Sequence, residues 1–318
     1  MTRIVVVRPI PEEALALLRP RADVVVGPPD PPVVSPDEMR SLVADAEVLY
    51  MLPVGRVDAS VVDAAPKLRM IATLATGYDS IDVAAARARG IPVTYAPGIL
   101  DETTADGAFG LLLATARRFG EAERYLRTGK FHGWTPSMFL GQDVHHATLG
   151  IVGMGRIGGQ LARRAKGFEM RVLYYDERRN DRAERDLGVT YAALDRLLAE
   201  SDFVSLHVPL MPSTLHLIDS ATLRKMKPTA VLINTSRGPV VDERALAEAL
   251  RDGVIAAAGL DVLEREPEVE PLLLELENVV LLPHVASASA PTRTRMAVRA
   301  AQNILAFLDG KPLLDPVP

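Results

Sequence analysis

The run Leu149-Gly150-Ile151-Val152-Gly153-Met154-Gly155-Arg156-Ile157-Gly158 constrains this chain more than any other. It reads as a buried strand entering a Gly-x-Gly-x-x-Gly turn. A helix follows, with apolar residues at Ile157, Leu161, Ala165 and Phe168 on one face. The next strand, Arg171 to Tyr175, ends in Asp176. Gly153 permits the tight turn, Gly155 lets the backbone approach a pyrophosphate, and Gly158 lets the helix lie close to the strand. The helix N-terminus offers free N–H groups and partial positive charge to that phosphate. Asp176 can accept hydrogen bonds from a ribose 2′-hydroxyl and would repel a 2′-phosphate. A glycine-rich turn alone is a weak signal. Strand, turn, helix, strand and terminal acid in register predict a dinucleotide site.

Composition agrees with an enzyme. At 318 residues the chain has room for two domains with ample cores. The net charge of −5 gives no reason to expect nucleic acid or an anionic membrane as a partner. Cysteine is absent, which excludes disulfides, thiolate metal sites and a cysteine nucleophile. It suits a reducing compartment, so a cytoplasmic location is expected. The opening Met1-Thr2-Arg3-Ile4-Val5-Val6-Val7 reads as a strand rather than a signal peptide. No apolar run is long enough to span a bilayer. The histidines lack metal-ligand spacing, and the His145-His146 pair reads as surface, so no metal is expected.

Strand and helix patterns alternate nearly throughout. That argues for α/β architecture: two Rossmann-like or flavodoxin-like doubly wound parallel-sheet domains with an interdomain cleft. Strands are expected near Ile4–Arg8, Val24–Val26, Val48–Tyr50, Met70–Leu74 and Val93–Tyr95, and helices near Pro11–Leu18, Pro36–Ala44 and Ile81–Arg89. Gly27-Pro28-Pro29-Asp30-Pro31-Pro32 reads as a stiff surface turn. A buried helix, Thr103 to Ala116, precedes the glycine turn and is expected to join the domains. Later strands fall near Val204–Val208, Ala230–Asn234, Ala256–Asp261 and Val279–Leu282. A final amphipathic helix, about Ala290 to Leu308, has no expected strand after it and packs most economically on the first domain. The expected division is a substrate-binding domain over residues 1–99, a dinucleotide-binding domain over 100–285, and a return helix in 286–318.

Three polar residues stand just after strands in the second half: Arg237 in Asn234-Thr235-Ser236-Arg237-Gly238, Glu266 in Glu264-Arg265-Glu266-Pro267, and His284 in Pro283-His284-Val285. The carboxyl ends of strands face the ligand crevice of an open α/β sheet, so the three loops can converge. A carbonyl group that accepts hydride from a dinucleotide needs its oxygen polarised and protonated as the hydride arrives. His284 can donate that proton, or remove it in reverse. Glu266 as carboxylate would orient the ring and favour its charged form. Arg237 offers a planar donor fork for a carboxylate and carbonyl oxygen. The remaining histidines, His132, His145, His146, His207 and His216, read as structural or exposed.

From about Tyr50 to Leu308 the chain resembles the D-2-hydroxyacid dehydrogenases, and among them the glyoxylate/hydroxypyruvate reductases. The matching segments are Ala65-Pro66-Lys67-Leu68-Arg69, Thr76-Gly77-Tyr78-Asp79, Gly153–Gly158, Arg164-Ala165-Lys166-Gly167-Phe168, Asn234–Gly238, Gly259-Leu260-Asp261-Val262 and Pro283-His284. The resemblance implies that the family's Arg, Glu and His fall on Arg237, Glu266 and His284. It makes Asp261 a partner of the nicotinamide amide and has the turn Ala75-Thr76-Gly77 hold the substrate carboxylate. It has Trp134 reach across a homodimer interface into the partner's pocket. Expected cofactor contacts are Thr104, Gly153, Met154, Gly155, Arg156, Ile157, Gly158, Asp176, Glu177, Arg178, Val208, Pro209, Thr214, Thr235, Ser236, Arg237, Asp261, His284 and Ala286. Expected substrate contacts are Leu52, Ala75, Thr76, Gly77, Arg237, His284 and Trp134.

The implied activity is NAD(P)H-dependent reduction of glyoxylate or hydroxypyruvate to the D-2-hydroxy acid. A phosphoglycerate dehydrogenase-like or other D-2-hydroxyacid dehydrogenase is an alternative. Against it, the loop Met51-Leu52-Pro53-Val54 is apolar where phosphoglycerate dehydrogenases carry polar contacts, and the chain stops at Pro318 without the regulatory domain many of them append. A non-catalytic NAD-sensing co-regulator is the other alternative, for which no charged recognition segment stands out. In Asp176-Glu177-Arg178-Arg179 the acid disfavours a 2′-phosphate while the arginines attract one. Asp176 lies nearest the ribose and the arginines are solvent-screened, so NAD(H) is the expected preference, with NADP(H) use left open.

Overall fold

Every residue of Val48-Leu49-Tyr50-Met51, Met70-Ile71-Ala72-Thr73 and Val231-Leu232-Ile233-Asn234 is buried. Strands apolar on both faces belong to parallel sheets covered by helices on both sides, and both sheets here are parallel throughout their named strands. The structure, a computed structural model, describes residues 1–30 and 32–318, so Pro31 of the proline-rich turn lies outside the described residues. The chain divides into two units, Met1–Leu100 with Ala288–Pro318, and Asp101–Ser287.

The first unit holds β1 (Arg3–Val6), β2 (Asp23–Val26), β3 (Val48–Met51), β4 (Met70–Thr73) and β5 (Val93–Thr94), in the flavodoxin-like order β2-β1-β3-β4-β5. Three of its helices start on side-chain caps: Ser35 accepts from the Glu38 amide, Asp58 from Val61 and Asp82 from Ala85.

The long C-terminal helix, Ala290–Leu308, completes this unit. It buries Met296, Ala297, Ala300, Ala301 and Ile304. The alanines bring its backbone close enough for the buried Tyr50 hydroxyl to donate to the Ala297 carbonyl at 2.8 Å. Burial holds the Tyr50 phenol well above its ordinary pKa. One sequence expectation needs correction: the chain does pair with the sheet after this helix. Pro316 bridges Thr94 in antiparallel fashion, and Val317 donates to the Val93 carbonyl at 2.9 Å. Asn303 directs the return, its Oδ1 accepting from the Leu314 and Asp315 amides at 3.0 Å each. That tail is short and polar at its turn, so it carries no periodic strand signal.

The second unit holds β6 (Thr148–Val152), β7 (Arg171–Tyr175), β8 (Thr190–Tyr191), β9 (Phe203–Leu206), β10 (Val231–Asn234), β11 (Ala257–Leu260) and β12 (Val279–Leu281). Their order is β12-β11-β10-β9-β6-β7-β8. The topology reverses between β6 and β9, and the glycine turn leaves β6 at that switch point, where open α/β sheets bind ligands. The buried helix runs from Asp101 to Ala116 and belongs wholly to this unit. It exposes only a narrow stripe, Glu102, Asp106 and Gly110, one residue per turn, and its other faces are buried or half-buried. Among the described residues no helix is long and apolar enough to cross a membrane.

If the C-terminal helix is integral to the first unit, Ile304→Ala should cost about 2–5 kcal/mol of stability through its cavity. Tyr50→Phe should cost about 1 kcal/mol through one lost buried hydrogen bond. Urea unfolding of the purified variants measures both.

Candidate active site

In the second unit His284 follows β12, Asp261 follows β11, and Arg237 lies just beyond β10, all at the carboxyl ends of neighbouring strands. His284 Nδ1 lies 3.0 Å from Glu266 Oε2. An ionised carboxylate can only accept, so Nδ1 carries the hydrogen and Nε2 is left for other chemistry. The second Glu266 oxygen accepts the Leu263 N–H at 3.1 Å. Burial alone would raise the Glu266 pKa. The His284 hydrogen bond and charge, the Leu263 amide and the charge of Arg237 outweigh it and hold the carboxyl below its ordinary 4.5. Arg237 is thus electrostatically joined to the His–Glu pair, and its Nη1 donates to the Ser236 carbonyl at 2.8 Å.

His284 adopts φ +56°, a left-handed conformation uncommon for a residue with a side chain. Asp261, only 1% exposed, holds it there. The Asp261 carbonyl accepts the His284 N–H at 2.8 Å. Its Oδ1 and Oδ2 accept the Val285 and Ala286 amides at 2.7 and 2.8 Å. Burial raises the Asp261 pKa, against the pull of those amides and of His284. The family resemblance assigns Asp261 to the nicotinamide amide; in the structure both its oxygens already hold the backbone that presents the histidine.

The turn after β6 has the geometry its glycines imply. Gly153 has φ +99°, and a Cβ on Gly158 would stand 2.2 Å from the Gly153 carbonyl oxygen. Open space lies where a Gly155 Cβ would point. Asp176 Oδ2 accepts the Met154 N–H at 2.8 Å, so the acid at the tip of β7 also fixes the turn. Arg156 Nε lies 3.5 Å from Asp101 Oδ2. Ile157 packs on the core beneath its helix. Glu177 and Arg178 are exposed. Arg179 donates Nε and Nη2 to Glu184, at 2.8 and 2.7 Å, which makes it less available to a phosphate.

Several other expected contacts brace their own loops. Ser236 donates its hydroxyl to Asn234 Oδ1 at 2.8 Å, and Thr214 donates to the Pro209 carbonyl at 2.6 Å. Val208 follows His207, whose amide donates to the Val152 carbonyl at 2.7 Å. Leu52 follows β3 and Ala75, Thr76 and Gly77 follow β4, adjacent strands of the first unit, so these loops share one sheet edge. The Thr76 hydroxyl donates to the Ala96 carbonyl at 2.8 Å. Trp134 is 77% exposed.

Sequence reasoning passed over Asn234, which is buried, receives the Ser236 N–H and donates to the Arg237 carbonyl at 2.9 Å. Its place at a strand end was the available signal. His207, expected to be structural or exposed, is half-buried, with its Nδ1 atom enclosed. Burial lowers its pKa to about 4, Nε2 meets Ser205 Oγ at 2.8 Å, and Nδ1 has no partner.

These residues fit a nicotinamide dinucleotide. The hydroxyls of Thr104 and Thr235 are buried without hydrogen-bond partners, an arrangement that a polar ligand relieves. Open space lies beside Gly155, at the start of the helix Arg156–Lys166, where the first amides of a helix lack intrahelical partners. Gly153–Gly158, Asp176, Thr104 and Thr235 would hold such a group, and it would supply the hydride.

The family model "D-isomer specific 2-hydroxyacid dehydrogenase, NAD binding domain" matches residues 109–286. The glyoxylate reductase of Korarchaeum cryptofilum is 54% identical over 311 residues, which are 97% of this chain and 93% of the relative. A protein structure from Thermus thermophilus superposes with a TM-score of 0.93 at 43% identity over 100% of both chains. A structure of the NADPH-dependent glyoxylate/hydroxypyruvate reductase of Sinorhizobium meliloti, in complex with NADP and malonate, gives 0.87 at 37% identity, covering 99% of this chain and 96% of that one. With a buried aspartate presenting a carboxylate-paired histidine in the same unit as the dinucleotide turn, this chain belongs to the D-isomer specific 2-hydroxyacid dehydrogenases, a family of NAD(P)-dependent oxidoreductases.

Proposed function

We propose that this enzyme reduces a small unphosphorylated 2-keto acid, glyoxylate or hydroxypyruvate, to the D-2-hydroxy acid. The observation that carries the reading is the 3.0 Å contact between His284 Nδ1 and Glu266 Oε2, with the Arg237 charge on the same carboxylate. The similarity to glyoxylate reductases supports the substrate class. A bound nicotinamide would supply the hydride that reaches C2. His284 gives the Nε2 proton to the carbonyl oxygen as the alkoxide forms, and Glu266 stabilises the imidazolium until then. Arg237 binds the substrate carboxylate and carbonyl oxygen. The apolar Leu52 loop favours an acid without phosphate. A cysteine-free chain suits the reducing cytoplasm.

NAD(H) is the preferred cofactor in this reading. Asp176 stands at the tip of β7, Arg179 is paired with Glu184, and Arg178 is left as the exposed cation able to meet a 2′-phosphate. A homodimer is also proposed. The helix Phe119–Arg127 buries none of its residues, and Phe119, Leu126, Phe131, Trp134 and Leu140 are all exposed within this one stretch of chain. A concentration of exposed apolar side chains of this kind marks an association site, and Trp134 on it would complete the partner's substrate pocket.

Four sets of measurements test these statements. NADH oxidation at about 340 nm should proceed with glyoxylate or hydroxypyruvate, and His284→Ala should lower kcat by about 10²–10⁴-fold in a folded protein. Because the Glu266 pKa lies below 4.5, its charge is intact at neutral pH and is lost only as pH falls through the depressed value. Glu266→Gln should therefore move the alkaline limb of kcat/KM to lower pH; an unmoved limb refutes the pairing. For the cofactor, kcat/KM should be higher with NADH than with NADPH, and Asp176→Ala should reverse or erase the difference. For assembly, light scattering should give twice the chain mass, and Trp134→Ala should raise the KM of the keto acid.

A further inference from the structure

The groups that hold the loop carrying Glu266 begin a few residues beyond Arg237. Glu243 opens the helix Glu243–Arg251 and is buried, at 7% exposure. Its Oε2 accepts the Glu264 N–H at 2.7 Å, and its Oε1 accepts the Glu270 N–H at 2.8 Å. Those two amides bracket Glu266. In return the Glu243 N–H donates to Glu264 Oε2 at 3.1 Å. The other Glu264 oxygen meets His216 Nε2 at 2.8 Å, and the His216 amide donates to the Pro239 carbonyl at 2.9 Å. On the Arg237 side the backbones touch: a Cβ on Gly238 would stand 1.8 Å from the Leu263 carbonyl oxygen. The Arg237 turn and the Glu266 loop are therefore joined by direct backbone contact and by one buried carboxylate.

We propose that Glu243 is a positioning residue for the reaction. It fixes the Glu266 loop against the Arg237 turn and thereby sets the contact between Glu266 and His284. It acts through Glu264 and Glu270 and not on substrate or cofactor. A carboxylate suits this place because both oxygens accept; an amide side chain would turn an N–H donor toward one of the two amides. An acid in a helix first turn also interacts favourably with the helix dipole. That second role would contribute stability alone and would leave Glu266 and His284 undisturbed, so the two roles separate by experiment. The kinetic part rests on the proposed keto-acid reduction; the structural part does not.

The test compares full-length wild type, Glu243→Gln, Glu243→Asp and Arg244→Ala. It uses NADH-linked kinetics with glyoxylate and an NMR pH titration of ¹³C-labelled histidine, with the His284 signal assigned through His284→Gln. In Glu243→Gln, kcat should fall about tenfold to a hundredfold, as expected for a misplaced catalytic group. The KM for NADH should stay within about twofold. The His284 ring should titrate at lower pH than in wild type, because its carboxylate partner is less well held. Arg244→Ala, which removes the 2.9 Å pair of Arg244 with Glu270, should change neither readout. Should Glu243→Gln fail to fold, Glu243→Asp, which keeps both acceptors but is shorter, should show the same displaced titration with a smaller loss of kcat. A wild-type His284 titration in the folded variant, with only a lower melting temperature, overturns the proposal. Should wild type reduce no keto acid, the functional reading falls, and the His284 titration still decides the role of Glu243.

Discussion

Asp261 is the constraint on which the site depends. Its carboxylate and carbonyl together bind three consecutive backbone amides, those of His284, Val285 and Ala286. A histidine in the left-handed region costs on the order of 1–3 kcal/mol, and the conformation persists because those three hydrogen bonds over-determine it. Burial of Asp261 strengthens each of them by excluding water. With the backbone fixed, the imidazole is directed so that Nδ1 meets Glu266.

The same logic recurs around the site. Asn234 holds Ser236 and Arg237, Glu243 holds both ends of the Glu266 loop, and Asp176 holds the Met154 amide. Each is a polar side chain satisfying backbone groups that the end of a strand or a tight turn leaves without ladder partners. The catalytic groups are thus supported by a second set of residues whose side chains are spent on backbone amides and carbonyls. The contrast is with Thr104 Oγ1, Thr235 Oγ1 and His207 Nδ1, buried polar atoms without partners. Those in the expected nucleotide region have the chemistry a polar cofactor would complete.

Hydrophobic periodicity and glycine spacing carried most of the architecture. Strand Arg171–Tyr175 and the helix Ala290–Leu308 have the expected bounds, since each is a clear apolar pattern with a definite stop. The helix Phe119–Arg127 was not legible, because it buries none of its residues and follows directly on another helix without a strand between. Strand β8 spans only two residues at a sheet edge, too few for alternation to register. The returning tail was missed for a related reason: one bridge at Pro316 needs no apolar run.

At the site, the sequence by itself determined the residue types and their places at strand ends. Gly153–Gly158 followed by Asp176 specified a phosphate-approaching turn, and Arg237, Glu266 and His284 specified proton and carboxylate chemistry. Only the tertiary structure decided how those groups are held. Hydrogen bonds between Glu243 and Glu270, or Asp261 and Ala286, join positions 27 and 25 residues apart, and no local pattern encodes such pairings. The pairing of Arg179 with Glu184 is by contrast local, five residues apart, and forms as the chain turns into the following helix. Local sequence sets which conformations and charges are available; long-range packing selects which polar groups become partners, and that selection turns dispersed side chains into one site.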